Sequence, residues 1–135
     1  MMIKKDTCKL ALVQATPVMF DKDKCVEKII ALIGEAAAKG AELIVFPELF
    51  IPGYPYGMTY GFTVGSRSRA GREDWKTYYD NSILADGAEM QSIVDCAKEH
   101  SVYVSVGYSE RDAVTATLYN SNIMIAPVSY THLRA

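Results

Sequence analysis

The first 46 residues contain two short apolar runs separated by one amphipathic stretch, and this order limits the fold more than any other feature. Leu10–Ala15 and Leu43–Phe46 have the continuous apolar character of strands that are covered on both faces. Between them, apolar residues recur at helical spacing after Asp21, which can cap a helix, and Gly40 suits the end of that helix. Strand, helix and strand in this order predict a parallel sheet of the α/β class.

The second half of the chain predicts two further helices and a hairpin. One helix runs from Arg72 to about Ile83, and the next begins at a capping box formed by Asp86 and Glu89. Val102–Gly107 and Thr117–Ala126 are apolar runs joined by a polar turn. A hairpin added to the parallel strands predicts a mixed sheet.

Charge and cysteine content exclude several classes of function. A formal net charge of -2 provides no electrostatic basis for binding nucleic acid or an anionic membrane, and no apolar run is long enough to cross a bilayer. The three cysteines are widely spaced and odd in number, and the two histidines stand apart from other ligand residues. This pattern predicts no metal site and a reduced, cytoplasmic setting.

A carboxylate follows the second predicted strand at its carboxyl end. Pro47 stops the strand, and Glu48 then occupies the position where functional groups of α/β sheets collect. The apolar neighbours between Phe46 and Ile51 would withdraw this carboxylate from water and strengthen it as a general base. The alternative is a glutamate that caps loop amides or pairs with an arginine. The irregular segment from Pro47 to about Gly71 is long enough to predict a functional loop.

Several segments are similar to one known family. Residues 40–55 read GAELIVFPELFIPGYP and resemble the first signature of the nitrilase superfamily, the carbon–nitrogen hydrolases, over its whole length. Glu110–Asp112 and Leu118–Ser121 resemble a later hairpin of that family, and the segment from Gly61 to Ile83 is more similar to nitrilases than to the amidase branches. The resemblance implies an α/β fold, the N-terminal half of a four-layer αββα sandwich with a mixed sheet.

The resemblance also implies a chemistry. The family's Cys-Glu-Lys hydrolases convert a nitrile to a carboxylic acid and ammonia without a cofactor, through a covalent intermediate on the cysteine. Glu48 matches the family's general base, and the family's lysine stabilises the tetrahedral species by charge. Tyr54 is a candidate substrate-binding residue, or else a packed loop aromatic. A homo-oligomer of the full-length protein is a further implication.

Two other functions remain open from the residues alone. One is an amidase or carbamoyl hydrolase of the same superfamily, with the same chemistry on a different substrate. The other is a small non-enzymatic α/β binding module.

The family's cysteine and lysine have no match in this sequence. No lysine follows Lys98, and none of the cysteines has the Cys-Trp-Glu setting of the family nucleophile: Cys8, Cys25 and Cys96. We therefore predict a partial carbon–nitrogen hydrolase domain over residues 1–126, inactive by itself. Residues 127–135 fit no family pattern and resemble translated sequencing-adapter read-through, which predicts a foreign tail. The alternative is a natural C-terminal strand of unusual sequence.

Overall fold

The computed structural model of the protein describes residues 6–56 and 68–134, the last strand by its backbone alone. The helices and strands of these residues follow in chain order: β1 (Leu10–Leu12), α1 (Lys22–Ala38), β2 (Leu43–Val45), α2 (Arg69–Asp80), α3 (Ala88–Glu99), β3 (Tyr103–Arg111), β4 (Leu118–Ala126) and β5 (Ser129–Arg134).

The strands form one mixed sheet in the order β1-β2-β3-β4-β5. The first three strands are parallel, and β4 and β5 are each antiparallel to the preceding strand. The predicted parallel opening, the added hairpin and the α/β class are therefore confirmed. β5 lies within residues 127–135 and pairs with β4.

The first helix begins and ends as its sequence predicts. The Asp21 side chain caps α1 by accepting a hydrogen bond from the Lys24 amide at 3.0 Å. After α1, Gly40 has a φ of 83°, a left-handed conformation that glycine adopts without strain. The apolar stripe of α1 is buried against the sheet and α3: Cys25, Val26, Ile29 and Ile33.

The second helix begins earlier than predicted. It starts at Arg69 rather than Arg72, because the Ser68 hydroxyl caps it by accepting from the Gly71 amide at 3.1 Å. The apolar periodicity that guided the prediction starts only one turn into the helix, so the cap and not the stripe sets its beginning.

The predicted capping box before the third helix is wrong. α3 has Gly87 at its N-cap, and no side chain caps it. Glu89 instead forms an ion pair with Lys22 of α1, with 2.6 Å between Oε1 and Nζ. Lys22 is 67 positions from Glu89 in the chain, and the packing of α1 against α3 brings the two together. Glu89 forms this ion pair in place of the predicted capping box.

The two faces of the sheet differ in what covers them. Alternate strand residues face α1 and α3, and this helix-covered face is fully buried: Ile44, Val104, Val106, Tyr108, Ile123 and Ile125. On the opposite face, which we call the open face, four large apolar side chains are exposed by 43% or more of their surface: Leu10, Leu12, Tyr103 and Met124.

Candidate active site

Residues 46–51 form an elbow where the chain leaves β2, and Glu48 lies in its middle. The amides of Phe46 and Phe50 donate to β3 carbonyls that are two residues apart, at 2.8 Å each. Four residues of the elbow therefore pass two residues of β3, and the surplus backbone bulges away from the ladder. Residues 48–50 form a turn between the end of β2 and the parallel bridge of Ile51 with Tyr108. Glu48 therefore lies outside the regular alternation of a strand.

The backbone of the elbow packs directly against Gly107 of β3. A Cβ atom at this position would lie 2.6 Å from the Pro47 carbonyl oxygen, 2.7 Å from the Glu48 Cα and 2.8 Å from the Leu49 nitrogen. All three are backbone atoms, so a larger residue would have to displace the elbow itself. Glycine is thus needed here for close approach of two backbones.

Apolar anchors hold the elbow on both sides of Glu48. The rings of Phe46 and Phe50 are buried in an edge-to-face contact, with 5.4 Å between centroids. The Ser109 amide donates to the Ile51 carbonyl at 2.7 Å, and the Ile51 side chain is fully buried. The backbone that carries Glu48 is therefore fixed before any substrate binds.

The Glu48 carboxylate is exposed and receives a hydrogen bond from β4. The side-chain amide nitrogen of Asn120 donates to Glu48 Oε1. Asn120 pairs with Ser109 across the ladder, on the open face of the sheet. The expectation that apolar neighbours withdraw Glu48 from water is wrong for the described residues, because Leu49 and Phe50 turn into the core and leave the carboxylate outside.

Tyr54 lies at the surface, six residues after Glu48. About half of its side chain is exposed, at 48%. It follows Gly53, whose φ of 106° turns the chain after the elbow. The described contacts do not bring Tyr54 against Glu48, and its role in substrate binding stays a prediction.

The cysteines lie away from Glu48. Cys25 and Cys96 are buried on α1 and α3, which pack on the other face of the sheet. Burial raises the pKa of both thiols and so disfavours the reactive thiolate. Cys8 is exposed but precedes β1, at the amino end of the parallel strands, whereas Glu48 follows the carboxyl end of β2.

Within residues 6–56 and 68–134, no three histidine, cysteine, aspartate or glutamate side chains come together as a metal ion would need. Among the helices of the described part of the chain, none has the length and apolar character to span a bilayer.

The arrangement suits proton transfer at the open face. A carboxylate accepts protons, and this one has a rigid backbone, one fixed hydrogen-bond donor and access from outside the sheet. Sequence reasoning located Glu48 but assigned no role to Asn120 or Gly107. The sequence predicts Asn120 only as part of a hairpin and Gly107 only as the end of a strand.

Comparison with known proteins identifies the family. The carbon–nitrogen hydrolase family model matches residues 9–131, and the chain belongs to this family. An aliphatic nitrilase of Rhodococcus rhodochrous is 40% identical over 120 residues, which are 89% of this chain and 31% of that protein. A cyanide hydratase of Botryotinia fuckeliana is 43% identical over 119 residues, 88% of this chain and 30% of that protein. The chain thus spans about a third of the length of these curated relatives.

The fold agrees with that family. A solved CN-hydrolase superfamily protein of Xanthomonas campestris superposes with a TM-score of 0.66 at 16% identity, covering 94% of this chain and 40% of that chain. The family match ends at residue 131, inside β5, whereas the sequence predicts a domain boundary after residue 126. That boundary stays a prediction.

Proposed function

We propose that this chain is the N-terminal part of a nitrilase-type enzyme, which converts a nitrile to a carboxylic acid and ammonia, and that Glu48 is its general base. The observation that carries the proposal is the placement of Glu48, held by an elbow at the carboxyl end of β2 and accessible from the open face. The nitrilases at about 40% identity support the substrate class.

The proposed reaction needs a thiol and a lysine from residues outside these 135. Glu48 takes the proton of the thiol, and the thiolate adds to the nitrile carbon to form a thioimidate. Water adds to the thioimidate, ammonia leaves, and a second water hydrolyses the resulting thioester to the acid. The lysine stabilises the negative charge that develops in the tetrahedral species. The positions of the three cysteines and the length of the relatives support this division of the site.

The first test is to sequence the source gene across codon 126 and several hundred bases beyond. We expect an open frame that encodes a lysine and then a Cys-Trp-Glu segment. A genuine stop after Ala135 would instead mean that a second polypeptide must supply both residues, or that the chain has no hydrolase activity.

The second test is an assay of the full-length gene product with matched nitriles and amides. Glu48→Gln keeps the size of the side chain but removes the base, and we expect a loss of about 100- to 10,000-fold in kcat/KM. Glu42→Gln is the matched control, because Glu42 lies at the opposite end of the same strand. We expect the Glu42→Gln enzyme to keep the wild-type activity. A Glu48→Gln enzyme with unchanged activity would refute the role of Glu48.

The product distinguishes a second candidate. The cyanide hydratase relative at 43% identity supports a reaction that stops after one water has been added, with an amide as the product. Acid plus ammonia from the nitrile indicates a nitrilase. Amide without ammonia indicates a hydratase, and turnover of the matched amide alone indicates an amidase or carbamoyl hydrolase.

The same proposal includes a cytoplasmic location and a homo-oligomeric full-length enzyme. The free cysteines support the first, and the family resemblance supports the second. Fractionation of the source cells and size-exclusion chromatography with light scattering test them separately.

A further inference from the structure

We propose that Asn120 is a positioning residue that holds the Glu48 carboxylate in its working orientation. The inference rests on the proposed function, since it assigns a task to the contact between β4 and the proposed base. Glu48 and Asn120 are 72 positions apart in the chain, and they meet because the elbow and β4 share the open face of the sheet.

The elbow fixes the Glu48 backbone but leaves the side chain free to move. Anchors on both sides of Glu48 immobilise Cα, whereas the exposed carboxylate lies at the end of three rotatable bonds. A glutamate in that setting samples several rotamers, and only a few place its oxygen where a thiol proton can be taken. A second point of attachment is needed to select among them.

Asn120 supplies that second point from a rigid place. Its backbone belongs to the ladder between β3 and β4, where it lies opposite Ser109. The ionised carboxylate can only accept hydrogen bonds, so the amide nitrogen of Asn120 must be the group that faces it. Among the side chains that the structure describes, Asn120 is the hydrogen-bond partner of Glu48, and it occupies one carboxylate oxygen, Oε1. The other oxygen, Oε2, is left for the proton.

A second asparagine on the same strand has a different hydrogen-bond partner. Asn122 lies on the same face of β4, two residues further on, and its Oδ1 accepts a hydrogen bond from the Ser105 hydroxyl at 3.1 Å. Asn122 thus forms its hydrogen bond with β3, whereas Asn120 forms one with the elbow. The two asparagines have the same side chain, the same strand and the same face, and differ in their partner.

The experiment compares Asn120→Ala with Asn122→Ala in the full-length gene product. For Asn120→Ala we expect kcat to fall about 10- to 100-fold with KM nearly unchanged, because the side chain acts on the base and not on bound substrate. Asn122→Ala should retain the wild-type kcat and KM.

Asn120→Asp provides a second variant of the same shape. It removes the amide donor and places a second carboxylate against Glu48, so kcat should fall at least as far as in Asn120→Ala. Thermal unfolding of all variants shows whether each is folded. Equal losses of kcat in Asn120→Ala and Asn122→Ala would assign the effect to folding and overturn the inference.

Failure of the inference is distinguishable from failure of the proposed function. An inactive Glu48→Gln enzyme together with a fully active Asn120→Ala enzyme would overturn the positioning role and leave Glu48 as the base. A fully active Glu48→Gln enzyme would refute both.

Discussion

The two faces of one sheet have separate tasks in this protein. On the helix-covered face, strand residues such as Ile44, Val104 and Ile123 have no exposed surface, and α1 and α3 complete a core. On the open face, Leu12 is 73% exposed, and the same strands present Asn120 and support the Glu48 elbow. The buried core therefore lies on one side of the sheet and the candidate active site on the other.

Gly107→Ala is expected to lower activity more than any other substitution in this comparison of the two faces, because it displaces the elbow on the open face. A Cβ atom would meet three backbone atoms of the elbow at under 3 Å. We expect a loss of about 1–3 kcal/mol in unfolding free energy from overpacking. Displacement of Glu48 should lower kcat/KM of the full-length enzyme about 100-fold. Urea unfolding and steady-state kinetics measure the two quantities.

Gly34→Ala in α1 is the matched control for that substitution. The added Cβ would meet the His100 ring at 3.7 Å, an ordinary contact, and alanine favours a helix interior over glycine by about 0.5–1 kcal/mol. We expect unchanged or raised stability and unchanged activity. If Gly107→Ala left stability and activity as unchanged as Gly34→Ala, the position of the elbow would not depend on its close contact with Gly107.

Ile123→Ala and Met124→Ala compare the two faces directly on adjacent residues of β4. Ile123 is fully buried under the helices, and its truncation should cost about 2–5 kcal/mol in unfolding free energy. Met124 is 43% exposed on the open face, and its truncation should cost less than about 1 kcal/mol. Denaturant unfolding of both variants of the 135-residue chain is the measurement. Similar losses would mean that the open face is packed as tightly as the covered one.

Glu89→Gln is expected to have the smallest effect on the free energy of unfolding. It removes only the ion pair between α1 and α3, on the helix-covered side of the sheet. Burial alone would raise the pKa of Glu89, but the hydrogen bond and charge of Lys22 lower it below its usual value. A lowered pKa in the folded state adds stability above the unfolded-state pKa, and this is lost as pH falls through the folded-state pKa. We expect a cost of about 0.2–1 kcal/mol at pH 7 that disappears in acid.

The measurement for Glu89 is urea unfolding at pH 7 and at about pH 3, with Glu27→Gln as control. Glu27 is an exposed glutamate of α1. An undiminished difference between wild type and Glu89→Gln at low pH would contradict the ion pair as the source of the effect.

Local signals in the sequence were sufficient for much of the fold. Asp21 and Gly40 mark the ends of α1, because capping and left-handed geometry depend on the residue itself. The continuous apolar run before Pro47 predicted a buried parallel strand, and the position of Glu48 at its carboxyl end followed from the strand. The family was recognisable for the same reason, since residues 40–55 carry these signals at fixed spacing.

Predictions were wrong where a side chain contacts residues that are distant in the sequence. Asp86 and Glu89 had the spacing of a capping box, but Lys22 of another helix pairs with Glu89. The sequence predicts that the apolar neighbours of Glu48 surround its carboxylate. In the structure these neighbours are buried in the core, and the carboxylate is exposed. In both cases the side chain had a local and a distant option, and packing selected between them.

The sequence by itself determined the order of strands and helices, the ends of α1 and the place of Glu48, because these depend on neighbours within a few residues. Folding determined that the Glu48 elbow packs on Gly107 and that Asn120 reaches its carboxylate. These contacts join residues about 60 to 70 positions apart. No local propensity encodes such a contact, since it exists only once β3 and β4 have paired beside β2.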